Sequence, residues 1–148
     1  DTYHLEAAKF IQENPLKPMS GYINWDHSPK SMTKSNQPPL FFFIIAGTQS
    51  IFGESEVIMH LLLSIFTFLS LLYFSKLSSF LEIKLKQTLI NIFGLSPAFV
   101  VNQNLMTDVP VLAISLASMY YLLRGLKKGG YKDYVFTNVN YMMVSQKW

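Results

Sequence analysis

The sequence predicts an all-α, polytopic membrane protein, and three observations carry that expectation. Half of the 148 residues are hydrophobic and only 14% are charged, against about 25% charged in a typical soluble domain. Three apolar runs, residues 57–74, 89–106 and 109–123, contain no lysine, arginine or glutamate, and no acid other than Asp108 lies between Glu82 and Asp133. Finally, the basic residues between and after these runs cluster in two short stretches, 76–86 and 124–132. Short loops rich in Lys and Arg stay on the cytoplasmic side of a membrane. The composition also excludes some classes. There is no cysteine, hence no disulfide framework and no thiolate metal site. No basic run with interleaved aromatics points to nucleic acid.

Taken in order, the chain opens on a helix. Residues 2–13 place Tyr3, Ala7, Phe10 and Ile11 at helical spacing, with Glu6, Lys9, Gln12 and Glu13 on the other face. Pro15 ends it, because the residue before a proline avoids the helical region. This suits a short helix at a membrane surface. The start is polar and carries no signal-peptide pattern or initiator methionine, so the chain reads as a fragment of a longer protein. Residues 16–39 hold four prolines, Gly21 and many serines and asparagines, and are expected to be a loop. Its Tyr22 and Trp25 suit an interface, and its Asp26-His27 pair is expected to be solvated.

Pro38-Pro39 opens the apolar run 40–52, closed by Gly53. Thirteen helical residues span roughly 20 Å, short of the ~30 Å hydrocarbon core. This length fits an interfacial or re-entrant helix or a short span. Residues 57–74 form the clearest span, with Glu54 and Glu56 ahead of it, where acids suit a helix N-terminus. Residues 76–86 are expected to be a polar connection. The run 89–106 is a second span interrupted by Gly94 and Ser96-Pro97, where Pro97 should kink it. Residues 109–123 are a third. The pattern divides the chain into an outer loop with surface helices (1–56), a three-helix transmembrane region (57–128) and the start of a further segment (129–148).

Two spans between the basic stretches put those stretches on one side. The turn at Asn102-Gln103-Asn104-Leu105-Met106-Thr107-Asp108 then faces the other. Residues 1–56 carry four lysines against six acids and have no pull to the cytoplasm. If residues 57–74 make the first crossing, they share the outer face with Asp108; if 40–52 also crosses, residues 1–37 are cytoplasmic. A carboxylate buried in lipid without a partner costs several kcal/mol, which places Asp108 at the boundary or in a wet cavity. Pro110 suits the first turn of the following helix, and Thr107 or Asp108 is its expected cap.

Several stretches in this order resemble one family. They are Asp1-Thr2-Tyr3-His4 with Ala8-Lys9, then Pro38-Pro39-Leu40 running to Phe52-Gly53-Glu54-Ser55-Glu56, a span beginning near His60, and Leu95-Ser96-Pro97 through Thr107-Asp108-Val109-Pro110. The set is similar to dolichyl-phosphate-mannose–protein mannosyltransferases and their bacterial aminoarabinose-transferring relatives. The resemblance implies an integral membrane glycosyltransferase of the bacterial inner membrane or endoplasmic reticulum, acting on its outward or lumenal face. It implies a polyprenyl-phosphate sugar donor and a lipid or protein acceptor. It implies catalytic carboxylates at Asp1, in the acid pair of the first outer loop, and at Asp108, in the second. Asp1 matches the second acid of that pair, so the resemblance leaves the catalytic acid as Asp1 or a residue just upstream. Gln37 stands where a Lys or His often precedes the proline pair, and His60 where an arginine is common.

The chemistry needs a base for the acceptor proton and cations for the departing phosphate. Lys30, Lys34 and His60 are the candidate substrate-binding groups. These residues assign no particular cofactor. A divalent metal is compatible with the family, although one carboxylate per loop makes a weak site. Two other readings fit the spans: a transporter or channel with Asp108 on an ion path, and a non-catalytic assembly subunit with aromatic loops as its surface.

Overall fold

The computed structural model describes residues 2–26, 28–34, 39–100 and 105–128. In chain order these form α1 (Thr2–Glu13), the strands β1 (Tyr22–Asp26) and β2 (Ser28–Ser31), a 3₁₀ turn (Met32–Lys34), α2 (Pro39–Phe52), α3 (Glu56–Phe80), α4 (Lys86–Gly94), α5 (Pro97–Val100) and α6 (Asp108–Lys128). The all-α membrane expectation holds for the architecture. The loop expected over 16–39 is corrected: β1 and β2 pair antiparallel, Tyr22 opposite Ser31 and Ile23 opposite Lys30. The turn residues hid a short alternation in which Ile23 is buried and Tyr22 and Asn24 are exposed. Proline is tolerated at Pro29 because a two-stranded hairpin has only edge strands.

α1 and α2 pack against each other and against the start of α3. Ala7, Ala8 and Ile11 meet Phe41, Phe42, Ile45 and Ala46, with Ile23 and Met32 from the hairpin region closing one side. Met59 and Leu63 of α3 and Leu105 ahead of α6 complete the same core. The hairpin is seated closely: a Cβ at Gly21 would stand 2.8 Å from the Phe10 ring. Gly53 ends α2 in the left-handed region, φ +74°, which glycine adopts without steric cost.

Among the described residues, α3 and α6 are the two helices long and apolar enough to cross a membrane. Only 17% of the most apolar stretch of α3 is buried, and 28% of that of α6, so both present apolar surface outward as lipid-facing helices do. They run parallel. Leu105, just before α6, packs with Met59 and Leu63 in the first turns of α3. Farther along, the Tyr73 and Tyr121 hydroxyls are 3.5 Å apart, and at the far end Lys127 lies over the Phe80 ring.

Parallel neighbours require the chain between them to travel back the length of α3. It does so along that helix. Phe93 stacks on Phe74 at 4.1 Å, Gly94 faces Leu71, and Phe99 packs on Phe93. The expected second span is therefore not one kinked helix among the described residues. α4 stops at Gly94 and α5 restarts at Pro97, because Pro97 has no N–H to donate and keeps Ser96 from helical geometry. α3 also runs past the expected end to Phe80, which makes Lys76 helical, and α6 carries Arg124 and Lys127 within its last turns.

Candidate functional site

At the end where both long helices begin, a cavity of about 370 Å³ opens between α1, the α2–α3 turn and the first turns of α3. Thr2, Glu6 and Lys9 line it from α1, Gln49 from α2, Glu54 and Ser55 from the turn, and Glu56 and His60 from α3. Met59, Leu63 and Leu105 form its apolar wall.

The turn is built locally. Gly53 reverses the chain and the extended Ser55 (φ −107°, ψ 123°) begins α3, its carbonyl accepting from the Met59 N–H. Glu56 then occupies the first turn, where the helix dipole favours an acid. The α1 side is joined to this turn by polar contacts. Lys9 Nζ lies 3.1 Å from Glu54 Oε1 and 4.0 Å from Glu6. The hydrogen bond and charge of Glu54 raise the Lys9 pKa above its ordinary 10.5. Gln12 donates to the Ala46 carbonyl at 2.9 Å. His60 Nε2 stands 3.6 Å from Glu56 Oε1 one turn earlier on the same helix.

The predicted site residues distribute unevenly around this cavity. His60 lines it. Asp108 is exposed as the first residue of α6, three positions after the lining Leu105; Thr107 stands before it, and its carbonyl accepts from the Val111 N–H. Asp1 lies outside the described residues, as do His27 and Gln37, but Thr2 beside Asp1 lines the cavity. Lys30 on β2 and Lys34 on the 3₁₀ turn are exposed on the hairpin side and do not line it. Lys9 and Glu54 were not singled out by the sequence as a pair, since 45 positions separate them. Glu54-Ser55-Glu56 at a helix start was visible, but only as favourable helix electrostatics. Among the described residues no three His, Asp or Glu groups converge in a way that would hold a metal ion.

The model of the dolichyl-phosphate-mannose-protein mannosyltransferase family matches residues 36–143, well over half of the chain. The chain belongs to this family. No curated protein and no solved structure matches it. Membership in the mannosyltransferase family, with the two long apolar helices, makes this a membrane protein of a glycosyltransferase family whose donors are lipid-linked sugars. The mannosyltransferase match takes in α2 to α6, and with them Glu54, His60 and Asp108. It begins after α1, the hairpin and the 3₁₀ turn, which carry Lys9, Lys30 and Lys34 respectively.

Proposed function

We propose that the chain forms the donor- and acceptor-handling end of a membrane glycosyltransferase that moves a sugar from a polyprenyl phosphate to a protein or lipid acceptor on the outward or lumenal face. The observation that carries this is the meeting of three distant segments at one cavity. Thr2, next to Asp1, and Leu105, three residues before Asp108, both line it. Chain neighbours of the two carboxylates implied by the family thus line one polar opening at the end where the two long helices begin. In this reading residues 1–56 are the outer loop, residues 57–128 cross the membrane, and residues 129–148 begin a further segment.

Asp1, or an acid just upstream, takes the acceptor proton, and Asp108 supports the site with its charge. His60 contributes a polar contact from the cavity wall. Lys30 and Lys34, exposed on the hairpin side and outside the cavity lining, are given no contact with the phosphate in this reading. The basic stretches at the other end face the cytoplasm, which assigns the cavity to the opposite side.

Asp108→Asn tests the proposal. Asn keeps the shape of the side chain, and the lost helix-dipole interaction costs only about 0.3–1 kcal/mol. Transfer from a polyprenyl-phosphate sugar should fall on the order of a hundredfold or more, with expression and thermal stability nearly unchanged. Near-normal turnover in a well-folded variant would reduce Asp108 to a favourable charge at the start of α6.

A further inference from the structure

The end opposite the cavity carries a second constellation, unrelated to sugar transfer. Parallel packing of α3 and α6 brings together two basic stretches that lie nearly 40 positions apart. Residues 76–86 and 124–128 hold six lysines and arginines against one acid, Glu82. Beneath them is a band of rings. Tyr73 packs against Tyr120 and Tyr121 at 6.1 and 6.0 Å, and Phe80 packs edge-on against Tyr120 at 6.3 Å.

The cations are held over this band across the helix pair. Lys76 Nζ of α3 is 5.0 Å from the Tyr73 ring centre and 5.8 Å from that of Tyr120 in α6. Lys127 Nζ of α6 is 5.1 Å from the Phe80 ring of α3. Both lysines are exposed. Tyrosine rings at a helix end mark the headgroup level of a bilayer. A lysine that lays its stem on such rings keeps its ammonium group at that level.

We propose that Lys76 and Lys127, seated on the band formed by Tyr73, Phe80 and Tyr120, bind the phosphate headgroup of anionic phospholipids in the leaflet at this end. Charge complementarity selects the occupant. The patch is strongly positive, its rings reach from headgroup depth toward the acyl chains, and a phospholipid supplies both an anion and an apolar body. Juxtamembrane cations each favour an anionic surface by about fivefold in association. The inference needs the membrane setting but not the transfer reaction, so it stands or falls independently of Asp108.

The test uses the protein reconstituted in phosphatidylcholine vesicles. Spin-labelled phosphatidylglycerol and spin-labelled phosphatidylcholine are compared by the fraction immobilised at the protein surface. The unaltered protein should prefer phosphatidylglycerol several-fold at low salt, and the preference should shrink as salt rises. Lys76→Gln with Lys127→Gln should lower it by about fivefold or more, with the remaining cations of the two stretches keeping some of it, whereas Lys76→Arg with Lys127→Arg should retain it. Equal association of the two lipids with the unaltered protein would overturn the proposal, with no need for any variant to fold. So would an undiminished preference in the Gln pair. Displacement of the lipid by inorganic phosphate beyond that by chloride at equal ionic strength would also overturn it, pointing to a soluble phosphate ligand.

Discussion

The two ends of the helix pair solve different problems with different parts. At the cavity end, a core of Phe42, Ile45, Ile11 and Met32, each essentially fully buried, fixes α1 and α2 onto the start of α3. Polar groups from α1, the α2–α3 turn and α3 then converge around one opening. At the other end contact is made by rings and lysine stems, and most of the groups named there remain partly open to their surroundings. The contrast teaches that the polar chemistry sits where an apolar core of the kind found in water-soluble domains has been added at the start of the long helices. Among the described residues, the far half of the helix pair is held by α3 and α6 themselves, with Phe93 of α4 stacked on Phe74. A site needs side chains held within a narrow range of positions, and the packed core supplies that, whereas a headgroup-level band tolerates play.

The sharpest way to break this comparison is to ask whether the ends lie on opposite sides of a membrane. The chain has no cysteine, so single cysteines report cleanly. Thr107→Cys should react with an impermeant thiol reagent from one side only, and Lys84→Cys from the other only. Ser78 is a poor reporter because it is buried within α3, whereas Lys84 is exposed in the connection. Reaction of both from the same side would dismantle the shared reading of the two ends.

Next in size is the core at the cavity end. Phe42→Ala should cost about 3–5 kcal/mol and loosen α1, which denaturant or thermal unfolding in detergent measures. Gly21→Ala should cost about 1–3 kcal/mol, because the new methyl group would force the Phe10 ring aside. By contrast, Tyr121→Phe at the far end should cost no more than about 1 kcal/mol, since the hydroxyl contact it removes is 3.5 Å long. A larger loss for Tyr121→Phe than for Gly21→Ala would reverse the assignment of rigidity.

The smallest effect is a pH dependence at the Lys9–Glu54 contact. The folded-state pKa of Lys9 is raised above 10.5, so its contribution is fully present below 10.5 and fades as pH rises through the raised value. Amide protection of α1, corrected for intrinsic exchange, should be flat from about pH 6 to about 9 and decline only beyond the ordinary lysine range. Glu54→Gln should abolish that alkaline decline. A drop already near neutrality would mean that Lys9 does not hold α1 to the turn.

Much of the architecture was legible in the chain. The apolar periodicity of residues 2–13 and Pro15 set α1, Gly53 set the end of α2, and charge-free length set α3 and α6. These are local properties, decided within a few turns by propensity, periodicity and transfer from water to lipid. Gly94 and Pro97 likewise announced an interruption in the return path, though a kink was expected where the helix breaks. The hairpin was not legible, because four prolines and many turn residues outweighed a four-residue alternation around Ile23. The tertiary structure alone decided that α3 and α6 run parallel with α4 and α5 returning between them, that Lys9 meets Glu54, and that Thr2 and Leu105 share one cavity while Lys30 and Lys34 stand apart from it. Such pairings depend on how helices pack in three dimensions. A charge or ring carries no mark in the sequence of the distant partner that packing will bring to it.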